Sequence, residues 1–372
     1  MAKVPFLDLK LLNAPYMESL KEAASSVVES GWYIRGHYGE QFERAFAEYC
    51  GVKYAVGVGN GLDALTLMLR ASMELGRLRA GDEILVPSNT YIATVLAVSA
   101  VGLKPVLVEP AENSYDMDPK RLKDACGART RGILVVHLYG RLCAMDEICE
   151  FANEHGLLLF EDSAQAHGAR LGDGRCAGSF GSAAAYSFYP TKNLGALGDA
   201  GMVLTNDTDI ANAVRSLGNY GSEQKYVNMY KGVNSRLDEM QAALLLAKLP
   251  HLDECNDRRR EIAARYCRDI KNDKVILPEL PATPSEHVYH VFVIRLKSEE
   301  ARDEMQKFLT AHGIGTLIHY PIPPHLQEAY AHEFSGEYPI AEAMAKTILS
   351  IPMSPVMTDD EVSEVIGAIN EF

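Results

Sequence analysis

The chain has 372 residues, 47% hydrophobic and 23% charged, an ordinary globular balance with room for two packed units. Its 36 lysines and arginines face 50 acidic residues, a formal charge of −14, which disfavours nucleic acid and anionic membranes as partners. The opening MAKVPFLDLKLLNAPYMESL is unlike a secretory leader, no run reaches the roughly 18–20 apolar residues of a membrane span, and the seven cysteines form no CxxC pair. Reduced thiols, no metal site and a cytoplasmic setting are therefore expected.

In chain order, short apolar runs are predicted as strands: YAVGV (54–58), EILVP (83–87), KPVLVE (104–109), GILVVH (132–137), GLLLFED (156–162) and AAAYSF (183–188). Amphipathic segments near 61–73, 91–101, 119–126 and 144–155 separate them. Continuous apolar strands alternating with helices predict an α/β fold with a mostly parallel sheet covered on both faces. Residues 236–271 read as one or two long helices broken near Pro250, followed by LPELPATP (277–284). An apolar strand (287–296) and helices near 299–312, 338–349 and 358–371 complete a smaller α+β unit. The expected boundary falls near residue 250, giving domains 1–250 and 251–372.

In such sheets ligands sit beyond the carboxyl ends of the strands, and three segments there carry chemistry. In GVGNGLDALTLML (57–69) a glycine-bearing turn joins a strand to a helix N-terminus, a setting suited to a phosphate or to a plain turn. In FEDSAQAHGA (160–169), Asp162 ends a wholly apolar strand, where a carboxylate needs a partner. That partner is either a protonated ring nitrogen or, more blandly, the amides of a following helix. Glu161 is its competitor, and strand alternation sends the two to opposite faces. In AAAYSFYPTKNLGALGDAG (183–201), Lys192 follows a buried strand among apolar and glycine residues, which desolvates its ammonium and lowers its pKa.

Together with FLDLK (6–10), SGWYIRGHYGEQFE (30–43), SNTYIAT (88–94), VHLYG (136–140) and GVNSRLDEMQAALL (232–245), these segments resemble the DegT/DnrJ/EryC1 sugar aminotransferases. The resemblance implies the pyridoxal-phosphate fold type I, a large cofactor domain with a mostly parallel mixed sheet plus a smaller C-terminal domain. It implies that Lys192 forms the Schiff base and moves the proton, and that Asp162 keeps the pyridine nitrogen protonated. Tyr91 then lies against the ring, Gln165 near its hydroxyl, and Ser187, Asn60 and Gly61 at the phosphate. Asn234 reaches the same phosphate in the neighbouring subunit of a homodimer with shared sites. His319, Tyr320, Tyr189 and Lys225 are expected to meet the sugar nucleotide, and His167 has a counterpart near the site without an assignable role.

The implied reaction moves an amino group from glutamate to a nucleotide-linked keto-sugar through pyridoxal and pyridoxamine phosphate. NLGALGDAG (193–201) replaces the Gly-Glu-Gly-Gly run of many 4-keto-sugar enzymes and resembles members that aminate C3 of dTDP-3-keto-6-deoxyhexoses. Thr191 and Arg141 depart from that subgroup, which often has glycine and glutamine there. Alternatives are a 4-keto-sugar or keto-cyclitol aminotransferase and a non-enzymatic cofactor-binding regulator. A dehydratase of this fold carries histidine in place of Lys192.

Overall fold

The computed structural model describes residues 3–372. Seven strands form the central sheet: β1 (Tyr54–Val58), β2 (Glu83–Pro87), β3 (Lys104–Val108), β4 (Thr130–Val136), β5 (Leu158–Asp162), β6 (Ala183–Ser187) and β7 (Gly201–Thr205). Their order is β1-β7-β6-β5-β4-β2-β3. All pairings are parallel except those of β7, which runs antiparallel to both β1 and β6. Gly201 of β7 pairs with Val58 on one side and Ser187 on the other. The carboxyl ends of β1 and β6 thus lie at one edge of the sheet with that of β5, where Asp162 pairs with Val136 and Ala185.

Burial on both faces explains why these strands are mostly apolar, with charged and polar residues chiefly at their ends. Val56, Ile84, Val86, Leu134, Phe160, Ala185 and Val203 pack on helices Gly61–Glu74, Ile92–Ala100 and Thr208–Leu217. Alternate residues, including Ala55, Ala184, Tyr186, Met202 and Leu204, turn to the other face, where Phe42, Phe46 and Leu245 cover them. Truncating a core ring such as the fully buried Phe160 to alanine costs about 3–5 kcal/mol.

Helix Glu239–Lys248 ends in a tight turn over Leu249–His251, around Pro250, before helix Leu252–Asp269. Beyond it, strand Phe292–Arg295 pairs antiparallel with Ile348–Ile351 under helices Glu299–Ala311 and Asp359–Glu371. Their own core gathers Tyr266, Phe292, Ile294, Met305, Leu349 and Ile366, and Val4 joins it.

Several expectations are corrected. The strand expected over 287–296 is regular only from Phe292, because the amides of Val288 and His290 bond the carbonyls of Gly140 and Tyr139 instead. The segment 338–349 is helix Pro339–Thr347 running into a strand. No helix follows β5, so Asp162 is not a helix cap: residues 163–168 run in turns. Helices Met17–Ser30 and His37–Cys50, and strand β7, were not read from the sequence. Among the described residues, no helix is long and apolar enough to cross a membrane.

Candidate active site

A cavity of about 470 Å³ opens at the carboxyl edge of the sheet, a size suited to a cofactor and part of a substrate. One wall is the turn after β1. Asn60 caps the Gly61–Glu74 helix through its Oδ1, which accepts from the Asp63 amide at 2.9 Å. A Cβ on Gly61 would lie 2.5 Å from that of Ser187, so only glycine lets the helix start press against the end of β6. Helix geometry leaves the first amides without intrahelical partners, and the Ser187 hydroxyl stands beside them, a cradle for a phosphate.

Asp162 forms the floor. Its Oδ2 accepts from the Thr94 hydroxyl at 2.8 Å and its Oδ1 from the Ala164 amide at 3.2 Å. Thr90 and Thr94 hydroxyls lie 2.8 Å apart; since Thr94 gives its proton to the carboxylate, Thr90 donates to Thr94. Burial pushes the Asp162 pKa up, opposed by the Thr94 hydroxyl, the Ala164 amide and the Lys192 charge. A buried carboxylate with two donors retains acceptor capacity for a third, such as a ring N–H aimed from the cavity. Glu161 is instead fully committed on the other face. It accepts from the His137 ring and the amides of Gly178, Phe180 and Gly181. The Cys143 amide donates to His137 Nδ1, so Nε2 carries the proton given to Glu161.

Lys192 is half-buried on the cavity wall. Desolvation brings its pKa down from 10.5 to about 8, against the pull of Asp162. A depressed pKa does not by itself mark the site, because Lys248 falls to about 8 for the same reason. Lys248, however, donates to the carbonyl of Gly195 and to Asn13, a structural role bracing the loop after Lys192.

Tyr91 and Tyr320 stand 5.0 Å apart between ring centroids over the opening. Gln165 accepts from the Tyr139 amide at 2.7 Å and donates to the Tyr320 hydroxyl at 3.1 Å. His319 contacts the Ser350 hydroxyl through Nδ1 at 2.8 Å, and burial lowers its pKa to about 4. Tyr189, half exposed, lines the same space. The structure therefore brings Asn60, Gly61, Tyr91, Asp162, Gln165, Ser187, Tyr189, Lys192, His319 and Tyr320 together. It does not bring Lys225, exposed on the Ser222–Asn228 hairpin, nor Asn234, exposed beside Asn219. His167 lies behind the wall, its ring 5.0 Å from that of Tyr186 and its pKa lowered to about 3 by burial. Arg141 is outside too, 3.4 Å from Asp116.

Sequence reasoning missed Thr94 and His290. Thr94, in the first turn of the Ile92–Ala100 helix, meets the buried hydroxyl of Thr90 just before the helix start, a readable pair of threonines. His290 was hidden inside what looked like a plain apolar strand.

Residues 16–370 match the DegT/DnrJ/EryC1/StrS aminotransferase family. A dTDP-3-amino-3,6-dideoxy-alpha-D-galactopyranose transaminase of Aneurinibacillus thermoaerophilus is 51% identical over 369 residues, 99% of each chain. The crystal structure of S. venezuelae DesV in complex with a ketimine intermediate matches with a TM-score of 0.94 at 47% identity, covering 100% of this chain and 98% of that one. NtdA from Bacillus subtilis, with bound cofactor PMP, matches at a TM-score of 0.91 and 30% identity, covering 100% and 85%. The chain belongs to the DegT/DnrJ/EryC1/StrS aminotransferase family.

Proposed function

We propose that this aminotransferase uses pyridoxal 5'-phosphate to transfer an amino group from glutamate to dTDP-3-keto-6-deoxyhexose, giving the 3-amino sugar. The convergence of Lys192, Asp162 and the Asn60–Gly61 turn on one cavity carries this reading, and the relatives' names point to sugar nucleotides aminated at C3. When bound, the cofactor supplies an aldehyde carbon and an electron-withdrawing ring.

The chain supplies position and proton movement. Asn60, Gly61 and Ser187 hold the phosphate, and Tyr91 covers a ring face. Asp162, whose Oδ2 accepts from Thr94 and whose Oδ1 accepts from the Ala164 amide, would hold a proton on the ring nitrogen. Lys192 Nζ takes and returns a proton at the substrate carbon. With a pKa of about 8, roughly a tenth of it is neutral at pH 7, against about one part in three thousand for an ordinary lysine. Tyr189, His319 and Tyr320 line the acceptor side.

Residues 1–250 act as the cofactor unit and 251–372 as the small unit. The enzyme works in the cytoplasm as a homodimer, with Asn234 directed at the neighbour's phosphate and Lys225 at the sugar diphosphate. The seven free cysteines suit a reducing compartment. A competition assay across 3-keto and 4-keto sugar nucleotides, with glutamate as donor and products read by mass and proton spectra, tests the assignment. Preference for 3-keto substrates is expected; preference for 4-keto substrates overturns the C3 assignment.

A further inference from the structure

We propose that His290 is a specificity-determining residue for the amino acceptor, its Nε2 accepting a hydrogen bond from a ring hydroxyl flanking the ketone. The inference rests on the sugar-nucleotide reading above and adds to it a residue and a chemical requirement. His290 lines the cavity with Lys192, and its ring nitrogens are made unequal by a chain of amides behind the wall.

That chain starts at a carbonyl, which can only accept. Asn256, fully buried on the Leu252–Asp269 helix, donates through Nδ2 to the His167 carbonyl at 2.8 Å. Its Oδ1 is then the acceptor for Asn193 Nδ2 at 2.9 Å. The same Asn193 nitrogen donates to the Val288 carbonyl at 2.9 Å. Reversing either amide would set oxygen against carbonyl oxygen, so both orientations are dictated by chemistry. Asn193 therefore presents Oδ1 to His290 Nδ1 at 3.2 Å, and Nδ1 must carry the ring proton. The other nitrogen, Nε2, is left with a lone pair.

No described residue hydrogen-bonds Nε2, and it is not among the buried atoms sealed without a partner. Burial, followed by the nearby Lys192 charge, holds the ring's pKa well below its ordinary value, so it stays neutral. A neutral lone pair repels carboxylate, phosphate and carbonyl oxygens and rewards a donor. On a keto-hexose the donors beside the reacting carbon are the hydroxyls at C2 and C4. A site built this way discriminates against a substrate lacking the hydroxyl, because the acceptor is left unpaired.

The test compares wild type, His290→Ala and His290→Gln on the 3-keto-6-deoxyhexose nucleotide and on its 2-deoxy and 4-deoxy forms. Cofactor absorbance and melting temperature identify any variant that merely misfolds. His290→Ala should lower kcat/KM on the full substrate by about 10- to 100-fold. The loss should vanish with one deoxy substrate, and His290→Gln, which keeps an acceptor oxygen, should recover part of it. An equal loss on all three acceptors overturns the proposal. So does a nitrogen NMR spectrum showing the Nε2–H tautomer for His290 at neutral pH. Lack of wild-type turnover on every keto-sugar would instead sink the sugar-nucleotide reading.

Discussion

Thr94→Val probes how the chain opposes the burial that pushes the Asp162 pKa up. The Thr90 hydroxyl donates to Thr94, and Thr94 donates to Asp162 at 2.8 Å, all of it buried. Valine keeps the shape and removes one of the two donors on the carboxylate. A hydrogen bond to a charged group contributes about 1.5–3 kcal/mol, and one pKa unit is about 1.4 kcal/mol. The Asp162 pKa should thus rise by about one to two units, with a 10- to 100-fold loss in its hold on the ring-nitrogen proton. The rate of the glutamate half-reaction, followed by cofactor absorbance in stopped flow, should fall by up to that factor. Thr94→Ser, which keeps the hydroxyl, should stay near wild type. A Thr94→Val enzyme reacting at the wild-type rate, or a serine variant falling equally far, refutes the reasoning.

Lys192→Met should raise the melting temperature of the cofactor-free protein at pH 7. The folded lysine titrates at about 8 and the free one at 10.5, so the folded state binds fewer protons between those values and wild-type stability climbs with pH there. The gap between variant and wild type should narrow from pH 8 to 10.5; equal melting at pH 7 contradicts this. Glu161→Gln places an amide NH₂ among four buried donors and should cost about 2–4 kcal/mol in urea unfolding. The folded variant should keep its cofactor spectrum, because Asp162 faces the other way, and a neutral stability change would refute the Glu161 account. Mixing the inactive Lys192→Ala and Asn234→Ala chains should restore about a quarter of wild-type activity, as half the dimers then hold one intact shared site. No recovery after subunit exchange removes the shared-site dimer.

Much of this was legible because buried strands leave a plain signature. YAVGV, EILVP and AAAYS are apolar through their middle positions since both faces are covered. Asp162 and Lys192 stood out as charged groups where such strands end. What stayed hidden depends on contacts distant in sequence. Gly201–Thr205 is as apolar as its neighbours, but no helix separates it from β6, and its antiparallel direction follows from the return of the Lys192 loop. His290 reads as part of a strand; its amide instead bonds Tyr139, 151 positions earlier, which turns the ring toward the cavity. Lys225 is legible as a loop charge, whereas where the Ser222–Asn228 hairpin carries it is not.

The central claim is that Lys192, and no other amine, is joined to the cofactor. Two lysines share a pKa of about 8, so borohydride reduction of the yellow holoenzyme followed by peptide mass mapping separates them. The account predicts a phosphopyridoxyl mass on the peptide containing Lys192 and none on the peptide containing Lys248. Label on Lys248, or an unmodified Lys192 in fully reduced protein, contradicts it.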